Sequence, residues 1–322
     1  MPDFEVRRDD LRTTRFVDGS AEGNVRIDRF ALTANNVTYG VMGDALSYWR
    51  FFPASGEGWG RVPVWGVGEV TGTGDLVYGY FPMSSSVAMT LDDRLVERSP
   101  HRADLPATYN RYMRVTADTP HLDEMLILRP LFGTSFLLSD FLGEEDATVV
   151  LGSASSKTAY GLAFLLDGPV IGLTSARNRD FVESLGVYER VLTYDEVSAL
   201  DGERVAYVDM SGDGAVRDAV HAAADVARDV AVGATHWEEV GAGEGDRRPE
   251  LFFAPTHIEQ MVERVGPEEL QRRMGEAWGA LIGRVGDWME VERVEGPEEL
   301  ERVWRSLVDG DVDPRAGYVV TL

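Results

Sequence analysis

The sequence predicts an α/β protein, in which a compact β domain is joined to a doubly wound parallel-sheet domain of the nucleotide-binding type. Three observations carry this expectation. The first 120 residues hold β-rich apolar runs punctuated by Gly and Pro, with little helical periodicity. From residue 147 short apolar runs alternate with amphipathic stretches at the spacing of βαβ units, which implies a parallel sheet. The chain then closes on "AGYVVTL", a strand that needs a partner, most economically in the first domain. The expected division is 1–128 for the first part of the β domain, 129–254 for the nucleotide-type domain and 255–322 for the return to the first.

Each element follows from local pattern. "GNVRIDRFALTA", "VPVWGVGEVTGTG" and "DLVYGYFPM" read as strands of the β domain. "ATVVLG" at 147–152 reads as a buried strand and "TAYGLAFLL" as the helix after it. "PVIGL" is a second strand, and "NRDFVESLG" a helix with Gly186 as its C-cap. "ERVLTY", "ERVAYVDM" and "RDVAVGAT" follow as strands, with the helix "AVRDAVHAAAD" between the last two. Two later helices open on the same phrase, "GPEEL", at 266–270 and 296–300. Pro267 and Pro297 suit the first helical turn and the glutamates suit its positive end, so the phrase is shared capping chemistry and not a duplication.

Composition narrows the function. No cysteine is present, which removes disulfides, iron–sulfur clusters, cysteine nucleophiles and thiolate zinc sites. The five histidines are scattered, with no H-E-x-x-H pair, and no metal is expected. A net charge of −24 disfavours a polyphosphate partner such as nucleic acid. The longest apolar runs are broken by Arg129 and Asp167, and the N-terminus lacks the apolar core of a secretion signal. The expectation is therefore a cytoplasmic protein with no membrane partner.

All 31 basic residues are arginine except one, Lys157, which falls in "LGSASSKTAYG" between the first strand and first helix of the parallel domain. Such a turn presents backbone N–H groups and partial positive charge to a diphosphate. It is neither G-x-G-x-x-G nor a Walker loop. Ser153, Ser155, Ser156 and Thr158 offer small side chains and hydroxyls, and Lys157 a compact ammonium that fits a tight turn better than an arginine fork. About 20 positions on, where an NAD site would place an acidic residue, stand Thr174 and Ser175, followed by Arg177 and Arg179. Hydroxyls and cations suit a 2′-phosphate, so NADP(H) is expected over NAD.

The order of elements and these residues together resemble the medium-chain dehydrogenase/reductase superfamily, in its zinc-free quinone-oxidoreductase-like branch, along nearly the whole chain. The resemblance implies a GroES-like β domain beside a Rossmann domain, and a homodimer. "RFALTANNVTYG" is similar to the strand and loop that carry an asparagine near the nicotinamide, which implies Asn35. "LRPLFGTSFLL" is similar to the bridging helix whose threonine lies by the cofactor, implying Thr134. The stretch from Gly172 to Tyr194 matches the branch without a gap and implies Arg179 and Tyr194 at the 2′-phosphate; "ELFFAP" implies that the backbone of Phe252 and Phe253 holds the carboxamide. The glycines of the family's A-x-x-G-G-V-G turn are missing here, which removes the closest backbone approach to the diphosphate. With "SASSKTA", "HR" before "LP", and "THWE", the chain also resembles a bacterial and fungal subgroup without an assigned substrate.

A metal-free reduction by NADPH needs a protein group that supplies a proton or a hydrogen bond to the developing oxyanion, and a quinone or α,β-unsaturated carbonyl suits it because conjugation spreads the incoming charge. Tyr39 is the first candidate donor, four residues after Asn35, with Tyr48, Tyr80, Tyr109 and Tyr112 as others. His236, after the fifth strand, is expected on the cofactor side. The alternative expectation is a non-catalytic NADPH-binding sensor or scaffold that kept the fold and lost the chemistry.

Overall fold

The computed structural model describes residues 2–19, 23–143, 146–232 and 249–322. The chain opens with β1 (Pro2–Arg7), β2 (Asp10–Asp18) and β3 (Val25–Leu32), then helix α1 (Ala34–Val41). Strands β4 (Trp59–Gly60), β5 (Pro63–Val70), β6 (Asp75–Pro82), β7 (Ser86–Val87) and β8 (Met113–Val115) follow. The segment after β3, expected as a loop, is thus a short helix. Thr33 and Asn36 close a capping box at its start, which outweighs the modest helix preference of "NNVTYG". Helix α2 (Leu122–Leu142) carries Pro130 inside it, and the division between the two compact units falls directly after that proline.

The second unit runs from Leu131 to Met289. It holds β9 (Thr148–Leu151), α3 (Lys157–Leu165), β10 (Val170–Thr174), α4 (Arg179–Ser184), β11 (Arg190–Thr193), β12 (Arg204–Asp209), α5 (Gly214–Ala223), β13 (Asp225–Ala231) and β14 (Glu250–Leu251). Three helices, α6 (Ala254–Val265), α7 (Pro267–Ile282) and α8 (Val285–Trp288), complete it. The six strands form one all-parallel sheet in the order β11-β10-β9-β12-β13-β14. This is the doubly wound arrangement expected from the βαβ spacing. Its core includes Val150, Ile171, Leu173, Val197, Leu200, Val205 and Val220, all buried.

The return segment supplies β15 (Glu290–Glu295), α9 (Pro297–Val308) and β16 (Ala316–Thr321) to the first unit. The expected return at residue 255 therefore lies too early: helices α6 to α8 belong with the parallel sheet, and the chain re-enters the β unit at Glu290. "AGYVVTL" pairs antiparallel with β3, in the first domain as expected, and β15 extends the sheet parallel to it. That sheet has seven strands, β15-β16-β3-β5-β6-β8 with β7 on β3, beside a three-stranded sheet β2-β1-β4. The largely antiparallel β unit and the parallel Rossmann unit give the predicted fold class.

By length and composition α2 could cross a membrane, yet 61 % of its most apolar stretch is buried inside the protein, as in a core helix. Within the β unit α9 lays Leu300, Val303, Trp304 and Leu307 against the N-terminal hairpin. The Trp304 indole packs edge-on to Phe4 and donates to the Leu11 carbonyl at 2.8 Å. Trp304→Ala is expected to lower the stability of this unit by about 3–5 kcal/mol in urea unfolding, the cost of an emptied indole site; a loss below about 1 kcal/mol would show that the hairpin does not depend on this docking.

Candidate functional site

In the parallel sheet the strand order reverses between β9 and β12, and ligands of doubly wound sheets bind beyond the carboxyl ends of the strands at that reversal. The turn leaving β9 lies there. It is pinned on both sides: the Gly152 N–H donates to Val208 O on β12 at 2.9 Å, and the Ala154 N–H to Leu173 O on β10 at 2.8 Å. Tyr188 Oη donates to the Ala154 carbonyl at 2.8 Å. Ser153 takes a left-handed backbone, φ 54°, unusual for a side chain other than Gly, Asn or Asp. Ser156 then caps α3 by accepting from the Ala159 N–H, so Lys157 is the first helical residue and Thr158 the second. The expected turn residues are thus brought together at one helix start, whose first amides have no intrahelical partner.

Around this turn three buried hydroxyls lack a hydrogen-bond partner among the described residues: Thr174 Oγ1, Ser175 Oγ and Tyr207 Oη. A Cβ built on Gly152 would lie 2.9 Å from Tyr207 Oη, so glycine is needed where the hydroxyl approaches. Buried donors without partners cost roughly 1–3 kcal/mol each unless something else meets them. Burial pushes the Tyr207 and Tyr194 phenols above their ordinary range, and the Ser153 hydrogen bond to Tyr194 opposes this in part. Both remain neutral donors at neutral pH. Asn178 Nδ2 donates to Ser155 Oγ at 3.2 Å, which ties the Arg177–Arg179 segment to the turn.

The remaining expected cofactor residues sit less simply. Arg177 is exposed, whereas Arg179 is held in ion pairs by Glu183 and Glu196. Thr134 lies on α2 beside Ser135, whose hydroxyl donates to the Thr158 carbonyl at 2.8 Å. The Phe252 N–H is spent on Ala231 O at 2.8 Å and its ring stacks flat on His257, while Phe253 is the N-cap of α6. His236 lies outside the described residues. At the end of β12 the buried Asp209 accepts from Ser211 and Gly212 and pairs with Arg217 at 2.9 Å, fixing the following loop. No group of three or more His, Asp or Glu is gathered as for a metal among the described residues.

The β unit gathers four of the five expected donors into one aromatic cluster, while Tyr112 packs on Phe81 and donates its hydroxyl to the Tyr80 carbonyl. Tyr39 and Tyr48 lie 4.6 Å apart between ring centroids, and Tyr80 and Tyr109 likewise at 4.6 Å, with Trp65 and Phe51 against them. Tyr39 Oη accepts from Trp65 Nε1 at 3.2 Å, and Asn35 stands in the first turn of α1. That bond uses acceptor capacity of the phenol oxygen and not its proton. Tyr48 Oη pairs with Tyr109 Oη at 3.2 Å. The buried Arg102 guanidinium, over the Phe51 and Phe52 rings, donates to the Tyr109 carbonyl at 2.9 Å.

Sequence reasoning did not single out Tyr188, Tyr207, Asn178 or Glu196. The Thr-x-x-Glu capping box at Thr193–Glu196 was open to reading. The two tyrosines carry no local mark, because only strand pairing brings them to the turn.

A family model described as "Protein of unknown function (DUF2855)" matches residues 30–313. No curated protein matches the chain. Among solved structures it is similar to CurA from Vibrio vulnificus in complex with NADPH, with a TM-score of 0.63 and 14 % identity over 100 % of this chain and 99 % of that one. It is also similar to the CurK enoyl reductase, at 0.59 and 14 % over 99 % and 98 %. The yhdH oxidoreductase from Salmonella enterica in complex with NADP follows at 0.54 and 13 %, over 100 % of both chains. At such identities the likeness shows the fold.

Burial raises the phenols of Tyr39, Tyr48, Tyr78, Tyr80, Tyr109 and Tyr112 above the ordinary value near 10. An acid whose folded pKa is raised contributes its full stability below the unfolded pKa and loses it as pH climbs above that value. The β unit is therefore expected to lose stability above pH ~10, with phenolate absorbance appearing together with unfolding. Phenolate formation from these six in a protein that stays folded would contradict the cluster's burial.

Proposed function

Because the chain belongs to the DUF2855 family, whose description carries no activity, its function has to be read from its own residues, and we propose that it is an NADPH-dependent, metal-free reductase. The observation that carries this reading is the β9–α3 turn. A helix start at the sheet's reversal point, its one lysine, and three buried hydroxyls without partners form a donor-rich site for a phosphorylated dinucleotide. The NADPH and NADP named in the similar CurA and yhdH structures point the same way.

In this reading Ser153, Ser155, Ser156 and Thr158 with the first amides of α3 hold the diphosphate, and Lys157 neutralises it. Thr174 and Ser175, with Arg177, Arg179 and Tyr194, serve the 2′-phosphate of the adenosine ribose; Thr134, Phe252, Phe253 and His236 are assigned to the rest of the coenzyme. NADPH bound there supplies a hydride. The acceptor is a quinone or an α,β-unsaturated carbonyl, in keeping with the enoyl reductase among the similar structures. Tyr39 delivers the proton or hydrogen bond, supported by Trp65 and Asn35, with Tyr48 behind it. The medium-chain dehydrogenase/reductase assignment, a homodimer and a cytoplasmic location belong to the same proposal.

A non-catalytic NADPH-binding sensor is the second reading. It is favoured by one observation: Tyr39 and Tyr48 are buried among other rings, at 6 % and 5 % exposure. Turnover separates the two.

Lys157→Ala is expected to weaken NADPH binding by about tenfold or more, the loss of one charge-assisted contact, in a titration of coenzyme fluorescence. Affinity equal to the parent's would remove the turn from the site. With a saturating enone or quinone, Tyr39→Phe is expected to lower kcat by roughly 100-fold while NADPH affinity holds; no turnover by the parent across a broad acceptor panel, with NADPH still bound, would select the sensor.

A further inference from the structure

One guanidinium beside the nucleotide turn is already occupied. Arg179 Nη1 donates to both Glu196 oxygens at 3.0 and 2.9 Å, Nε donates to Glu183 Oε1 at 3.0 Å, and Nη2 reaches the Val191 carbonyl at 3.4 Å. The two carboxylates differ in how firmly they are held. Glu183 is the i+4 partner of Arg179 on α4 and is half exposed. Glu196 is fixed independently: its Oε2 accepts from the Thr193 N–H at 2.9 Å and closes the capping box of the 3-10 turn Tyr194–Leu200. Thr193 ends β11, which pairs with β10 at Thr174, where the orphaned Thr174 and Ser175 hydroxyls stand. Asn178, one residue before Arg179, is bonded to Ser155 of the turn. The carboxylate thus lies on the guanidinium at the edge of the donor-rich patch.

Resting on the NADPH reading, we infer that Glu196 is a specificity-determining residue: it occupies the Arg179 edge that a ribose 2′-phosphate would take, so that NADPH binds by exchanging one anion for another. The physical consequence is a reduced preference for the phosphorylated coenzyme. A guanidinium facing solvent would give the 2′-phosphate a bidentate, charge-assisted contact at no cost in broken bonds. At Arg179 itself two carboxylates outweigh one cation, so that of the two arginines assigned to the 2′-phosphate only Arg177 is clear of these carboxylates' pairing, and a phosphate of about −1.5 to −2 charge meets repulsion at Arg179 until Glu196 gives way. NADH, with a hydroxyl at that position, meets neither the gain nor the repulsion. Glu196 therefore lowers the NADPH-to-NADH affinity ratio below what Arg179 alone would set.

Glu196→Gln separates charge from structure, because glutamine also serves in a capping box and keeps the Thr193 contact. The expected result is NADPH affinity tightened by about fivefold, the scale of one exposed ion pair, with NADH affinity unchanged within about twofold. The gain is lost in Arg179→Ala/Glu196→Gln, which should bind NADPH no better than Arg179→Ala alone. An unchanged or lowered NADPH-to-NADH ratio in Glu196→Gln, at an unaltered thermal midpoint, would overturn the inference and make Glu196 a support for Arg179. Binding of neither coenzyme by the parent would instead overturn the NADPH reading itself, and this inference with it. A titration of 2′,5′-ADP against 5′-ADP localises the effect: the expected gain appears with the 2′-phosphate alone, and an equal gain with both fragments would contradict it.

Discussion

The proposed chemistry depends on one backbone constraint, the clamping of residues 152–154 between two strands. Gly152 is tied to β12 and Ala154 to β10, and the Tyr188 hydroxyl closes the Ala154 carbonyl. Gly172 has no room for a side chain, since a Cβ there would lie 2.8 Å from the Ala154 Cβ. The left-handed Ser153 is the residue that absorbs the change of direction. These contacts aim the start of α3 at the sheet's reversal point, and they do so without the glycines that usually allow a dinucleotide to approach such a turn. In the proposed site small hydroxyl side chains take their place, which stand further out but carry donors of their own.

Charge operates at two scales in this chain. The whole molecule is strongly acidic, at −24, which repels an anionic ligand at long range. Within a few ångströms the balance is local, because salt screens beyond about 8–10 Å. At the turn Lys157 adds one positive charge to a helix start, together with partial charges that no substitution removes. At the edge of the patch the opposite holds, with Glu183 and Glu196 neutralising Arg179. In the proposed site the diphosphate is the anchor and the 2′-phosphate the adjustable contact.

Much of this was legible in the sequence because βαβ units combine a short apolar run with a longer amphipathic one, and these periods do not overlap. Each strand expected from "ATVVLG" to "RDVAVGAT" has its described residues at a strand of the parallel sheet, the last at β13, and the Lys157 turn lies at its reversal point. What escaped was set by tertiary contact. Helix α1 was hidden by asparagine and glycine, and its cap is a side-chain pair. Helices α6 to α8 look the same from sequence whichever unit they pack on, so the return was expected at 255 and occurs at Glu290. Arg179 was readable as a cation, but its two carboxylate partners come from α4 and from the turn after β11, and only the fold brings the second to it. Tyr207 sits in an ordinary buried strand pattern, and its hydroxyl acquires meaning only beneath Gly152.

The proposed reductase chemistry rests on the β9–α3 turn gripping the diphosphate of NADPH. Backbone hydrogen–deuterium exchange with and without saturating NADPH tests it most directly. Slowed exchange is expected in residues 153–158, with smaller changes elsewhere in the parallel-sheet unit. Saturation of the protein by NADPH with exchange in that turn unchanged would contradict it.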